Sequence, residues 1–429
     1  MRRLLLCLLC PFTGPACDAV APEDPYADWP VAEQTFPYVV TPETDLAPYE
    51  EVRWETETWD PFVDQALAAA YLVKASQHRQ GAPVEVEQHF AAQRSVIPPL
   101  TDGTGLVRLS FVGDVMWLGT SWDNFALPVA ELIDGDLRIG NLETPVVPGD
   151  TTELDELGLY TFNSPPAILD GLPLDLLQGT NNHSLDRGDA GLAATTQEVR
   201  SRGYLWTGVD EHAFVTIRGL TVAFLAFTWG LNGRGPSAEH ELFVVPFGHL
   251  DAGPLDLGAV EGAIVGARAE GADFVVVMPH WGFEYEYFPD PWFMQIGRAM
   301  VAMGADLVVG HGPHVVQPVE RCFVNTPTEV PGVATCSVQG EGPPREAAIV
   351  YSLGNFDTVQ PTIPAQTGLV LTADLDDGGV RGLGWRAIAT VPGGDGRQLR
   401  PLDELAAEGG AWNIESGRLA AHLGAGWRR

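Results

Sequence analysis

A chain of 429 residues with 45% hydrophobic residues can bury a sizeable core in one large or two medium domains, which excludes disorder along its whole length. Acids outnumber bases 57 to 24, a net charge of −33, and Lys74 is the only lysine, so no basic stripe exists to neutralise a phosphate backbone. That composition argues against nucleic-acid binding. The preference for arginine over lysine reads as a compositional bias and carries no function by itself.

The chain opens with Arg2 and Arg3 ahead of the apolar run Leu4–Cys10, too short to span a bilayer, the pattern of a signal peptide over residues 1–17. Gly14-Pro15-Ala16-Cys17 would place Cys17 first in the mature chain, as in bacterial lipoproteins, although Gly14 stands where leucine is usual. Either route, lipidation of Cys17 or simple secretion, predicts an exported protein of the cell envelope, on the periplasmic or extracellular face and held to the membrane by a lipid anchor in the first case. Cys7 and Cys10 would leave with the signal, so Cys322 and Cys336 remain, and in an oxidising compartment they are expected to form a disulfide. A metal-binding cysteine pair would need closer spacing.

Residues 18–104 follow as an acidic N-terminal tether. Asp18 to Asp60 holds 12 acids against the single base Arg53, with many prolines and no sustained period. Asp64–His78 is alanine-rich and could form a helix, and Pro98-Pro99 leads into the first confident strand. The folded domain is expected from 105 to 400, starting near Leu106, with a partly helical tail over 401–429. Within it, short β-rich runs at Val107–Val112, Leu137–Leu142, Leu174–Leu177, Val222–Phe227, Phe274–Met278 and Leu307–Val309 read as buried strands. Helical stretches at Ala190–Arg202, Ala259–Glu270 and Pro291–Met303 lie between several of them, the last with Asp290 as N-cap and Pro291 in its first turn. This alternation predicts an α/β protein, and Ile349–Leu353, Gly368–Ala373 and Gly382–Ile388 add strands without intervening helices, hence a mixed or second sheet.

Polar residues fall at the C-terminal ends of these strands, where sites in α/β sheets assemble. Asp114 follows the first run, Asn141 and Glu143 the second, and Asn181, Asn182 and His183 the third. His280 follows Val275–Met278, while His311 and His314 follow Leu307–Val309. A lone histidine after a strand is usually a hydrogen-bonded loop residue, but five coincident strand ends offer a mixed oxygen and nitrogen ligand set suited to Mn, Zn or Fe.

Phe111-Val112-Gly113-Asp114-Val115-Met116, Gly140-Asn141-Leu142-Glu143, Asn181-Asn182-His183-Ser184-Leu185-Asp186, His280-Trp281-Gly282, Gly310-His311-Gly312-Pro313-His314 and Tyr351-Ser352-Leu353-Gly354-Asn355-Phe356 resemble, in order and spacing, the motif set of the CapA family, associated with poly-γ-glutamate capsule synthesis. The likeness covers roughly residues 107–375. It implies the calcineurin-like metallophosphoesterase architecture, a four-layer sandwich of two mixed β-sheets flanked by helices. By the resemblance one or two divalent metal ions would bind, with Asp114 and His314 holding one, Asn182, His280 and His311 the other, and Glu143 bridging them. His183 would then be the general acid or a transition-state hydrogen-bond donor. Phosphoesterases usually have a histidine where this chain has Met116, a residue that fits a core position better than a metal. That departure leaves the ion near Asp114 short of a nitrogen ligand. Arg187 could bind a carboxylate or phosphate, and Asn141 and Trp281 are candidate substrate contacts, although a strand-end tryptophan more often seals the core.

Two functional readings follow. One is a metal-dependent hydrolase-type site acting on a phosphoester or an anionic envelope polymer such as poly-γ-glutamate, in capsule or cell-envelope biosynthesis. The other is a non-catalytic accessory or export subunit of a membrane polymer synthase, partnered with its subunits.

Overall fold

The computed structural model describes residues 80–116, 124–154, 160–234, 237–245, 257–326, 336–340, 342–393 and 396–429. The expected signal peptide, Cys17, the Asp64–His78 helix and most of the tether lie outside these residues.

One long hydrogen-bonded path of strands folds over on itself. Its first half contains β1 (Val107–Val115), β2 (Leu137–Leu142), β5 (Leu176–Gln178) and β6 (Leu205–Thr207), all parallel, followed by antiparallel β15 (Thr367–Asp376) and β16 (Gly379–Gly393). The second half contains β8 (Leu220–Thr228), β9 (Phe274–His280), β10 (Leu307–Val309) and β13 (Arg345–Val350), again parallel, with antiparallel β7 (Ala213–Ile217) at its edge. A single register pair, Glu346 with Gly379, joins β13 to β16 and so one half to the other. At the far side Thr207 Oγ1 donates to the Phe224 carbonyl at 2.7 Å, bringing β6 against β8.

Strand period explains the layering. Successive side chains point to opposite faces, and a strand covered on both faces reads as a continuous apolar run. In β8, Val222, Phe224 and Ala226 face an inner core shared with Leu109, Phe111, Leu371 and Trp385 of the other half. Ala223, Leu225 and Phe227 face an outer core. Helices α4 (Gly258–Ala269) and α5 (Pro291–Met303) cover that outer face through Val260, Ile264, Phe293 and Met300. On the first half, α2 (Ala167–Asp170) and α3 (Gly188–Ser201) supply Ile168, Leu192 and Val199 against Val112 and Leu177. Helix, sheet, sheet, helix is the four-layer order expected, and each large side chain removed from water contributes about 1.5–3 kcal/mol.

Local signals operate as expected at α5, where the Asp290 carboxylate accepts from the Trp292 amide at 2.9 Å ahead of a helix opened by Pro291. The strand placed at Ile349–Leu353 instead runs from Arg345 to Val350, paired along its whole length with the antiparallel strand Val319–Val324. The packed region also extends beyond the expected limits. Helix α1 (Val84–Gln93) inserts Val86 and Phe90 into the outer core. At the other end α6 (Leu402–Ala407) and α7 (Ala411–Leu423) insert Leu402, Leu405, Leu419 and Leu423 into the inner one. Cys322 and Cys336 form the expected disulfide, as register partners of β11 (Val319–Val324) and β12 (Cys336–Val338).

Candidate metal centre

The C-terminal ends of β1, β2 and β5 from one half, and of β8, β9 and β10 from the other, meet in one place. Gly113 in β1 has no room for a Cβ because the Gly354 carbonyl packs against it, and that approach lets β14 (Asn355–Asp357) pair with the end of β1, setting Asn355 beside Asp114. Backbone bonds zip the two histidine loops together, from the His311 amide to the Pro279 carbonyl at 2.9 Å and from the Trp281 amide to the His311 carbonyl at 2.8 Å. Gly312 follows with φ 107°, and His314 with φ 59°, a left-handed conformation that costs a non-glycine residue about 1–3 kcal/mol and marks functional sites when the surroundings enforce it.

Asp114, Glu143, His280, His311 and His314 are all buried, at 3% exposure or less. His311 Nδ1 lies 2.9 Å from Asp114 Oδ1, and His314 Nδ1 lies 3.3 Å from Asp114 Oδ2. Both final histidines therefore close on Asp114, which supplies the nitrogen neighbours that Met116 does not. His280 Nε2 is 3.4 Å and His314 Nε2 is 3.8 Å from Glu143 Oε1. Among the described residues neither oxygen of Glu143 has a hydrogen-bond partner. Isolated buried carboxylates are strongly disfavoured, so this one fits a cation.

The electrostatics follow from burial. Burial opposes ionisation of Asp114, but hydrogen bonds from His311 and His314 outweigh it and hold the carboxyl well below its ordinary range. Burial raises Glu143 well above the usual value, and the charges of Asp114 and Glu284 add to it. Burial lowers His280 to about 3, with the charges of His314, His311 and His183 adding to it against the opposing charge of Asp114, leaving a neutral imidazole of the kind that ligates metals. For His314 burial works against protonation, yet the charges of Glu143 and Asp114 raise it to about 10.

Asn181, the neighbour of Asn182 in sequence, joins the cluster through a chain of amides. Asn141 Nδ2 donates to Asp114 Oδ1 at 2.9 Å, and Asn181 Nδ2 donates to Asn141 Oδ1 at 3.2 Å. Asn182 Oδ1 is buried without a partner among the described residues, while its Nδ2 donates to Asn232 Oδ1 at 3.2 Å. His183 is held from behind, with Nδ1 2.7 Å from Asp186 Oδ2 and its ring centroid 4.2 Å from that of Phe162. Its charge acts on His280.

Three expected substrate contacts are placed differently. Asn141 is fully buried and its amide is consumed by Asp114 and Asn181, so it orients the cluster and does not face a substrate. Trp281 is 1% exposed, donates its Nε1 to the Tyr351 carbonyl at 3.1 Å and stacks in the outer core, which leaves no free ring face. Arg187 donates to the Thr161 and Thr151 carbonyls and pairs with Asp150 at 3.3 Å, committing its guanidinium to the neighbouring loop. Two residues were not assigned roles from sequence. Asn355 Oδ1 lies 3.0 Å from His314 Nδ1 and so orients that ring. Asp357 is buried, accepts from the Met116 amide at 2.6 Å and directly follows the Tyr351–Phe356 motif.

A folded-over mixed sheet with a buried Asp, Glu and His group at its strand ends defines an α/β protein with a site able to hold a metal ion. Residues 108–360 match the family described as bacterial capsule synthesis protein PGA_cap, and the chain belongs to that family. Among curated relatives, the PGA biosynthesis protein CapA of Bacillus subtilis is 32% identical over 195 residues, covering 43% of this chain and 49% of its own length. The capsule biosynthesis protein CapA of Bacillus anthracis is 26% identical over 236 residues, covering 52% and 51%. The chain thus spans about half the length of the curated relatives it matches. Among solved structures, the calcineurin-like phosphoesterase YfkN from Bacillus subtilis aligns at TM-score 0.34 and 13% identity, over 74% of this chain and 97% of that one.

Proposed function

We propose that this chain is an exported protein of capsule or cell-envelope polymer biosynthesis whose buried centre is a metal-dependent hydrolase site. The observation that carries the proposal is Glu143, a fully buried carboxylate with no hydrogen-bond partner among the described residues, facing Asp114 and two imidazoles. Asp114, Glu143, His280, His311 and His314 would hold one or two cations, with Asn182 Oδ1 as a further donor, and this oxygen and nitrogen set suits Mn, Zn or Fe. A divalent cation there would acidify water and offset charge on the group under attack. His183 supplies the proton chemistry. Its Nδ1–H donates to Asp186, which leaves Nε2 as the atom that gives a proton to the leaving group or hydrogen-bonds the developing charge. Export is supported by the buried disulfide, a bond of oxidising compartments. The relatives' names support an anionic polymer such as poly-γ-glutamate as substrate, and a phosphoester remains the other arm of the test.

Elemental analysis of the purified full chain, wild type, His280→Ala and His311→Ala, tests this with hydrolysis of a generic phosphodiester and of poly-γ-glutamate followed in parallel. The expected outcome is one or two divalent ions in the wild type, lost together with turnover in the variants. Metal without turnover would favour a non-catalytic accessory of a polymer synthase. A wild type free of stoichiometric metal would overturn the metal-centre reading.

A further inference from the structure

The side chains that converge at the centre bring an excess of carboxylate, Asp114, Glu143 and Asp186 with the half-exposed Glu284 nearby, whereas the polymers and esters considered above are anions. Like charges repel in a low-dielectric site unless a cation intervenes. Arg187 cannot serve, since its guanidinium is held by Thr151, Thr161 and Asp150. A second arginine stands on the opposite loop. After β8 the chain turns through Asn232 at φ 53° and Gly233 at φ 74°, closed by the Arg234 amide donating to the Leu231 carbonyl at 3.1 Å. This turn places Asn232 on Asn182 and within 3.5 Å of His183 Nδ1, and it places Arg234 Nε 3.4 Å from Asp186 Oδ1. The other oxygen of Asp186 is occupied by His183 and by the Phe162 amide. Among the described residues Asp186 is the one side-chain partner of Arg234, whose side chain is 34% exposed.

We propose that Arg234 is the oxyanion anchor of the centre, its terminal guanidinium nitrogens binding a carboxylate or phosphoryl group of the molecule on which the centre acts. The inference rests on the hydrolase reading above and adds a residue that recognises substrate. Two features make it specific. The planar fork of a guanidinium matches both oxyanions with two parallel hydrogen bonds, and among the described residues pairing through Nε leaves both terminal amino groups to a ligand. Asp186 sits between His183 and Arg234, one oxygen toward each, and so couples the residue that would bind the anion to the residue that would act as its acid. The positive charge of Arg234 also offsets that of an anionic substrate against the acidic surroundings.

Equilibrium dialysis of the full chain against inorganic phosphate and against γ-linked triglutamate tests this, in wild type, Arg234→Gln, Arg234→Lys and Asp186→Asn, with metal content measured on the same samples. Arg234→Gln is expected to weaken at least one probe by about tenfold or more, with Arg234→Lys intermediate, and the affected probe identifies the oxyanion. Asp186→Asn, which frees the guanidinium from its carboxylate, is expected to keep or raise that affinity. An Asp186→Asn loss equal to that of Arg234→Gln would make Arg234 a support for Asp186 and overturn the proposal. Unchanged affinity in Arg234→Gln, or a wild type that binds neither probe, would overturn it as well. Absence of metal would defeat the hydrolase reading while the arginine effect stays readable.

Discussion

A proton stands where a cation would go. Burial pushes Glu143 up, and the charges of Glu143 and Asp114 raise His314 to about 10, so at neutral pH the metal-free Glu143–His314 pair shares a proton that a cation must displace. His280, lowered to about 3, has none to lose. Metal affinity is therefore expected to rise as pH increases from 6 to 9, with roughly one proton released per binding event at neutral pH. Manganese titrations at stepped pH, and in buffers of different ionisation enthalpy, measure both, and a flat profile would contradict the assignment. Glu143→Gln is expected to lower the affinity at least about tenfold. The residues brought together here were legible because each interrupts or ends an apolar strand run, where a polar side chain needs a reason. What the sequence does not carry is which hydrogen bonds a side chain has already spent. Asn141, Arg187 and Trp281 have the right types and neighbours for substrate contacts, and only their partners show them to be occupied. Arg234 lies in no strand-end motif, and its position depends on the turn at Asn232 and Gly233.

At the scale of elements, α1 is the largest departure from expectation. A 10-residue helix with Glu85 and Glu87 in its first turn sits within an acidic, proline-bearing stretch, and composition there speaks for a tether. Its role is set by three long-range contacts. Phe90 is 2% exposed in the outer core, His89 Nε2 lies 2.5 Å from the buried Glu320 of β11, and Gln93 Oε1 accepts from the Arg321 amide at 2.9 Å. Arg298 of α5 and the Tyr351 hydroxyl complete the surroundings of Glu320, which burial would otherwise penalise. Phe90→Ala is expected to lower the unfolding free energy by about 3–5 kcal/mol while metal content stays unchanged, measured by urea denaturation and elemental analysis. A loss below 1 kcal/mol would return α1 to the tether. The long parallel strands were readable from their apolar runs because both faces are covered. β12 has only three residues and owes its place to Cys336 pairing with Cys322, a contact with no local signature beyond the cysteines themselves.

The whole molecule carries −33 charges against itself. Self-repulsion of this kind weakens a compact state and is screened within about 8 Å at physiological ionic strength. Thermal stability is accordingly expected to rise by a few degrees between low and 0.5 M sodium chloride, and a melting temperature that falls over this range would locate the charge effect elsewhere. One feature of the sheet reaches further. Asp114 and Glu143 come from one half and His280, His311 and His314 from the other, with Asp114 and His311 separated by 197 positions and Asn141 and His280 by 139. No segment translated early contains the full set, and contacts this distant in sequence form late because the intervening loop must close first. An unfolded or half-assembled chain thus presents scattered histidines and carboxylates without a site. A site assembled this late could take up a cation only as the last event of maturation, in whichever compartment the chain occupies when it finishes folding.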